Sequence, residues 1–171
     1  SANKVVLLHL DTSINKPHIE AAPLYLDDQT ILYSSLRVEE PVYRYEHDTS
    51  FVPSRELYLA SKSGDHWQFG DQFDAPFSEE GQNLSSVTFT ADGNRAFFSR
   101  CSPDWKNKMI CQLYVSTKKN DKWSQPVNLG KEINLSGTSN SQPTVGRTSK
   151  DVEVVYFVSD RKGGKGGRDI W

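Results

Sequence analysis

Two stretches of this chain say nearly the same thing. RELYLASKSGDHW ends at Trp67, and CQLYVSTKKNDKW ends 56 residues later, at Trp123. The pairs Leu57-Tyr58 and Leu113-Tyr114 keep that step, and Ile170-Trp171 stands 57 beyond the second pair. Upstream, DDQTILYSS from Asp27 lies without gaps on DGNRAFFSR from Asp92, 65 residues on. EVVYFVSD from Glu153 supplies a third version and sets Ser159 beside Ser34 and Ser99. The connectors repeat as well: Ile14-Asn15 is followed by Pro23, and Ile133-Asn134 by Pro143.

The repeated unit is built for strands. Its core is aromatic and β-branched, and Gly, Pro, Asn and Asp punctuate it. Leu26-Asp27-Asp28-Gln29 and Ala91-Asp92-Gly93-Asn94 are tight-turn signals between paired runs. Further strands are expected in KVVLLHL, APLYL, TILYSSL, SVTFT, RAFFSR, QPTV, EVVYFVS and DIW. No long segment carries apolar residues at i, i+3, i+4 and i+7, so almost no helix is expected. Four short antiparallel strands in one unit cannot bury both faces alone, so such units stack face to face. This predicts an all-β fold of four-stranded propeller blades, about three of them. Residues 1–18 form the closing strand of a preceding blade and a connector. Blades follow at 19–82 and 83–138, and 139–171 forms an incomplete one. Three blades do not close a ring. The chain therefore reads as a segment of a longer parent, or as a half-ring completed by another chain.

Charge and length exclude other classes. The formal net charge is -2 and the pI about 6.1, without the basic excess of a nucleic-acid binder. The longest apolar run, Val5–Leu8, is far short of a membrane helix, so no membrane span is expected. GGKGG in the closing stretch SDRKGGKGGRDIW has no Ser or Thr after its Lys and leads into a strand, not a helix. It reads as a structural turn, not a phosphate cradle. Gly163 and Gly164 supply the backbone freedom. Ser159, Asp160 and Asp169 bond local backbone, with Arg161 in reach of a carboxylate.

Other chemistry is thin. His9, His18, His47 and His66 are scattered without metal spacing, no G-x-S-x-G appears, and no cofactor motif is present. No catalytic set is legible, and the reading is of a non-enzyme. Cys101 and Cys111 end and begin facing strands of one hairpin. A disulfide there staples the SPDWKNKMI loop and implies an oxidising compartment; in a reducing one both are simply strand residues. The loop from Leu36 to Glu56 holds Arg37, Tyr43, Arg44, Tyr45, Phe51 and Arg55 outside the strand pattern. Two readings stand for it. The loop folds back over a blade edge, or its aromatics and arginines form a partner-binding surface.

The DG turn with FFS at Asp92–Ser99, the LY…W spacing, the RC…CQLY arrangement at Arg100–Tyr114 and above all YFVSDRKGGKGGRDIW carry a resemblance. The chain resembles the TolB-type, WD-repeat-like propeller repeats of Gram-negative bacterial envelope proteins, over nearly its whole length. One departure is SSLRVEEP in the first copy, where the third has SDRKGG. The resemblance implies an exported, periplasmic or envelope protein that acts as a non-catalytic scaffold. Its partners would be envelope proteins or further propeller sequence of the same parent, in a secretion, gliding or peptidoglycan-associated complex. Two alternatives stand beside it: the regulatory propeller of a peptidase, and a propeller that binds a glycan, with Trp105 as a candidate contact.

Overall fold

The computed structural model describes residues 7–37 and 54–171. Among them there is no helix, and the strands form three antiparallel sheets in chain order. The first sheet runs β1 (Glu20–Asp27), β2 (Thr30–Ser35), β3 (Glu56–Ser63) and β4 (His66–Gln72), each paired with the next. The second runs β5 (Asn83–Phe89), β6 (Arg95–Pro103), β7 (Met109–Lys119) and β8 (Lys122–Trp123), with β9 (Val127–Asn128) also on β7. The third holds β10 (Asn140–Arg147), β11 (Glu153–Ser159) and β12 (Asp169–Ile170). Residues 7–10 of the expected strand KVVLLHL carry no strand. They meet no partner strand among the described residues, and a strand is defined by its ladder.

The tight turns form as their chemistry requires. The Asp27 carboxylate accepts from the Gln29 N–H at 2.8 Å. Asp92 accepts from the Thr90 hydroxyl at 2.5 Å and the Asn94 N–H at 3.0 Å. These bonds hold its carboxyl at a pKa of about 2. Gly93 takes the left-handed φ of 68° that the turn needs.

Alternation along each strand sorts the core. Leu32 and Leu57 of the first sheet point one way and share a buried cluster with Ala96 and Phe98 of the second. Phe77, from the connector, stacks on Phe98 at 4.5 Å between ring centroids and meets Trp123 at 5.3 Å. On its other face the first sheet packs Tyr33, Ala60, Tyr58 and Trp67 around Ile14 of the leading connector. The second sheet in turn packs against β10 of the third.

Pairing register fixes how the copies correspond. Leu57 faces Ser34, Leu113 faces Ser99, and Ile170 faces Val158. Ile170-Trp171 thus holds the Leu-Tyr place. Ser159, however, pairs with Asp169, as Ser35 pairs with Glu56 and Arg100 with Gln112. The alignment of Ser159 with Ser34 and Ser99 is therefore corrected by one residue. The reason is alternation: Phe157 must share the buried face of Tyr33 and Phe98. One consequence is visible at the far end. The positions that pack onto a following sheet in the first two sheets are held in the third by Tyr156, Val158 and Ile170. Tyr156 is 48% and Ile170 76% exposed.

Candidate functional site

The first strands of the three sheets, β1, β5 and β10, lie side by side, and a cleft of about 540 Å³ opens between them. All three strands bulge at the same place. The register slips between Ala21 and Leu24, between Leu84 and Val87, and between Ser141 and Thr144. A bulge leaves a residue out of the ladder and re-aims its side chain. Ala22 and Gln142 take left-handed φ values of 50° and 52° there, each followed by a proline that has no N–H to lose. The bulged residues line the cleft, with Ser85, Ser86, Thr88, Gln142 and Thr144 as polar walls.

Among the described residues, Arg55 is the cation in the lining of this cleft. Arg55 is pinned through its backbone: its N–H donates to Asn83 Oδ1 at 2.9 Å, and its carbonyl accepts from Leu84 N–H at 2.9 Å. Arg55 is among the residues that line the cleft, and burial pulls its pKa down. Among the described residues no carboxylate or carbonyl is bonded to that side chain. A half-buried guanidinium without a partner among the described residues is suited to a bidentate anionic group, such as a carboxylate.

The other arginines near the strand ends are spent on the fold. Arg37 donates to the Ser13 carbonyl at 3.1 Å and lies over Phe69, 3.3 Å from its ring centroid. Arg161 donates to the Ile133 carbonyl at 2.5 Å and to Asn140 Oδ1 at 3.0 Å, with its guanidinium 5.3 Å from the Trp171 ring centroid. Arg100, buried, donates to the Phe77 carbonyl at 2.6 Å, pairs with Glu79 at 2.5 Å and lies 4.9 Å from the Tyr114 ring centroid. In all three sheets, then, an arginine in or just past the second strand reaches back to the connector that leads into its own sheet. Arg37, expected in the candidate partner-binding loop, is half-buried here, with its guanidinium over the Phe69 ring and 5.6 Å from the Tyr58 ring centroid. The repeated role was missed in sequence because Arg37 and Arg161 stand two residues past their serines, while Arg100 stands in the serine's own place.

Of the other expected loop residues, Tyr43, Arg44, Tyr45 and Phe51 lie outside the described residues. The closing turn is held partly by its own residues, at Ser159 and Asp169, and partly by distant ones, at Asp160. Ser159 Oγ accepts from Arg161 Nε at 3.0 Å. Asp160 accepts from Ser139 N–H at 2.7 Å and pairs with Lys108 at 3.1 Å. Burial works to raise the Asp160 pKa, but these bonds and the charges of Lys108 and Arg168 together outweigh it and hold the carboxyl below its ordinary value. Asp169 accepts from the Gly166 N–H at 3.1 Å. Gly163 takes a φ of 104°, and a Cβ on Gly164 would fall on the Asp169 carboxylate.

Cys101 and Cys111 form a disulfide across directly paired positions of β6 and β7. That bond fits an oxidising compartment. No helix among the described residues is long and apolar enough to cross a membrane. Among the same residues no three His, Cys, Asp or Glu side chains converge as a metal site. Asn134 is taken up by structure: its amide brackets Leu113, accepting from the N–H and donating to the carbonyl, both at 2.9 Å.

These features define an all-β protein of three antiparallel sheets, stapled once by a disulfide. No family model matches the chain, and no curated protein matches it. A solved structure described as a glycoside hydrolase resembles it with a TM-score of 0.46 at 15% identity, over 84% of this chain and 49% of that one. The chain thus spans about half the length of that structure.

Proposed function

We propose that this chain is a non-catalytic binding module, with the cleft between β1, β5 and β10 as its docking site for an acidic group of a protein partner. The observation that carries the reading is Arg55. Three other arginines are consumed as struts, whereas Arg55 lines a preformed cleft with polar walls, and among the described residues its side chain has no bonded partner. Binding sites of this kind are concave, largely preformed and oriented by a few polar groups.

The three sheets are read as consecutive blades of a larger propeller of the TolB type. The internal repeat, the sheet-on-sheet stacking and the uncovered face of Tyr156 and Ile170 support this. A next blade from the same parent would cover that face. The disulfide supports export, and the resemblance supports reading the module as a periplasmic or envelope scaffold.

The test is a cross-linking pulldown from the native envelope with the intact parent chain as bait. One reproducible set of envelope proteins is expected, lost with Arg55→Ala and retained with the exposed-site control Arg147→Ala. An unchanged set with Arg55→Ala would remove the cleft from the reading. Recovery of no protein would remove the scaffold itself.

A further inference from the structure

Among the described residues, the ladder of β6 and β7 runs further than those of β2 with β3 and β11 with β12. It continues past Arg100 through the pairs Cys101–Cys111, Ser102–Ile110 and Pro103–Met109. At its tip Trp105 is 87% exposed, with the Lys106 ammonium 4.6 Å from its ring centroid. Leaving a large apolar ring in water has no folding benefit. Beside it lies a groove of about 390 Å³, whose far wall is the turn at Ser136-Gly137.

Both walls are held rigidly. The disulfide ties the base of the hairpin. Cys111 N–H donates to Ser139 Oγ at 3.0 Å, Ser139 N–H donates to Asp160, and Asp160 pairs back to Lys108 on the hairpin. At the tip, Asp104 Oδ1 accepts the N–H groups of Lys106 and Lys108, both at 2.8 Å. Ser102 and Ser136 line the groove, and among the described residues neither hydroxyl makes a hydrogen bond within the protein.

We propose that this groove binds a glycan, with one pyranose ring seated on the Trp105 indole and its hydroxyls bonded to Ser102 and Ser136. A sugar presents C–H faces and hydroxyl edges at once, and an aromatic platform flanked by free hydroxyls answers both. An anion is disfavoured by the Asp104 carboxylate in the lining. A peptide anchor needs an apolar socket, and here the aromatic projects from the protein instead. The site is separate from the Arg55 cleft and does not rest on it.

The experiment is calorimetric titration of the intact chain with chitotetraose, cellotetraose, mannotetraose and muramidase-released peptidoglycan fragments, alongside tryptophan fluorescence. Saturable binding of at least one probe is expected, with a change in indole emission. Trp105→Ala weakens it by about tenfold or more, and Trp105→Phe by less. Circular dichroism should show both variants folded, since the ring is exposed. The Cys101→Ser/Cys111→Ser variant, if folded, binds more weakly because the groove loses its fixed base. The proposal is overturned if no probe binds saturably, or if Trp105→Ala binds as tightly as the parent. Saturable binding of an unstructured peptide in place of every sugar would overturn it in favour of protein docking.

Discussion

Arg100 shows what one buried cation does in this chain. Its guanidinium serves the Phe77 and Ser78 carbonyls and the Glu79 carboxylate while lying against Tyr114. A planar fork with several donors can hold that many acceptors; a lysine ammonium cannot match their directions. Arg100→Lys is therefore expected to cost about 2 kcal/mol and Arg100→Ala about 3, because a buried carbonyl loses its donor. Urea unfolding at unchanged slope measures both, and losses under about 0.5 kcal/mol for each would make the strut decorative. At this scale the sequence was only partly readable. Arg161 stood out beside its serine and glycines. Arg37 looked like a loop residue, because nothing local announces that Ser13 and Phe69 will converge on it.

At the scale of the element, the stapled hairpin was the most legible feature. Cys101 and Cys111 were placed on facing strands by the repeat alone, and the structure pairs them directly. The bond closes a short loop, for which chain entropy gives about 2–3 kcal/mol. Cys101→Ser/Cys111→Ser should lower stability by about that amount in oxidising buffer. In reductant the parent should fall to the level of the variant; an equal stability in both buffers would mean that the staple adds nothing. The bulges in β1, β5 and β10 were not legible in the same way. Pro23 and Pro143 mark two of them, but Ser85-Ser86 carries no such signal. Nor does any residue say that three bulges will face one cleft.

Across the whole molecule, the stacking is directional. Each sheet offers one face to the next, and the third offers Tyr156, Val158 and Ile170 to solvent. An exposed contiguous apolar face marks an interaction surface. The isolated chain is expected to associate with rising concentration in sedimentation velocity, and Tyr156→Ser/Ile170→Ser to remain monomeric. A parent that stays monomeric throughout would show that this face needs no cover.

The amino-acid sequence by itself determined most of the strands, their turns, the repeat and the disulfide, the expected strand at residues 7–10 excepted. Each is set by neighbours in the chain or by a period that pairing must respect. Alternation, Asp-Gly turn chemistry and two cysteines in facing runs suffice for that. Only the tertiary structure decided that Ser159 stands one place away from its apparent counterpart. It alone set Arg37 over Phe69, left Arg55 at a cleft and set Trp105 beside the Ser136-Gly137 turn. These outcomes depend on which face of each sheet meets the next, and that is fixed by packing between units far apart in the chain.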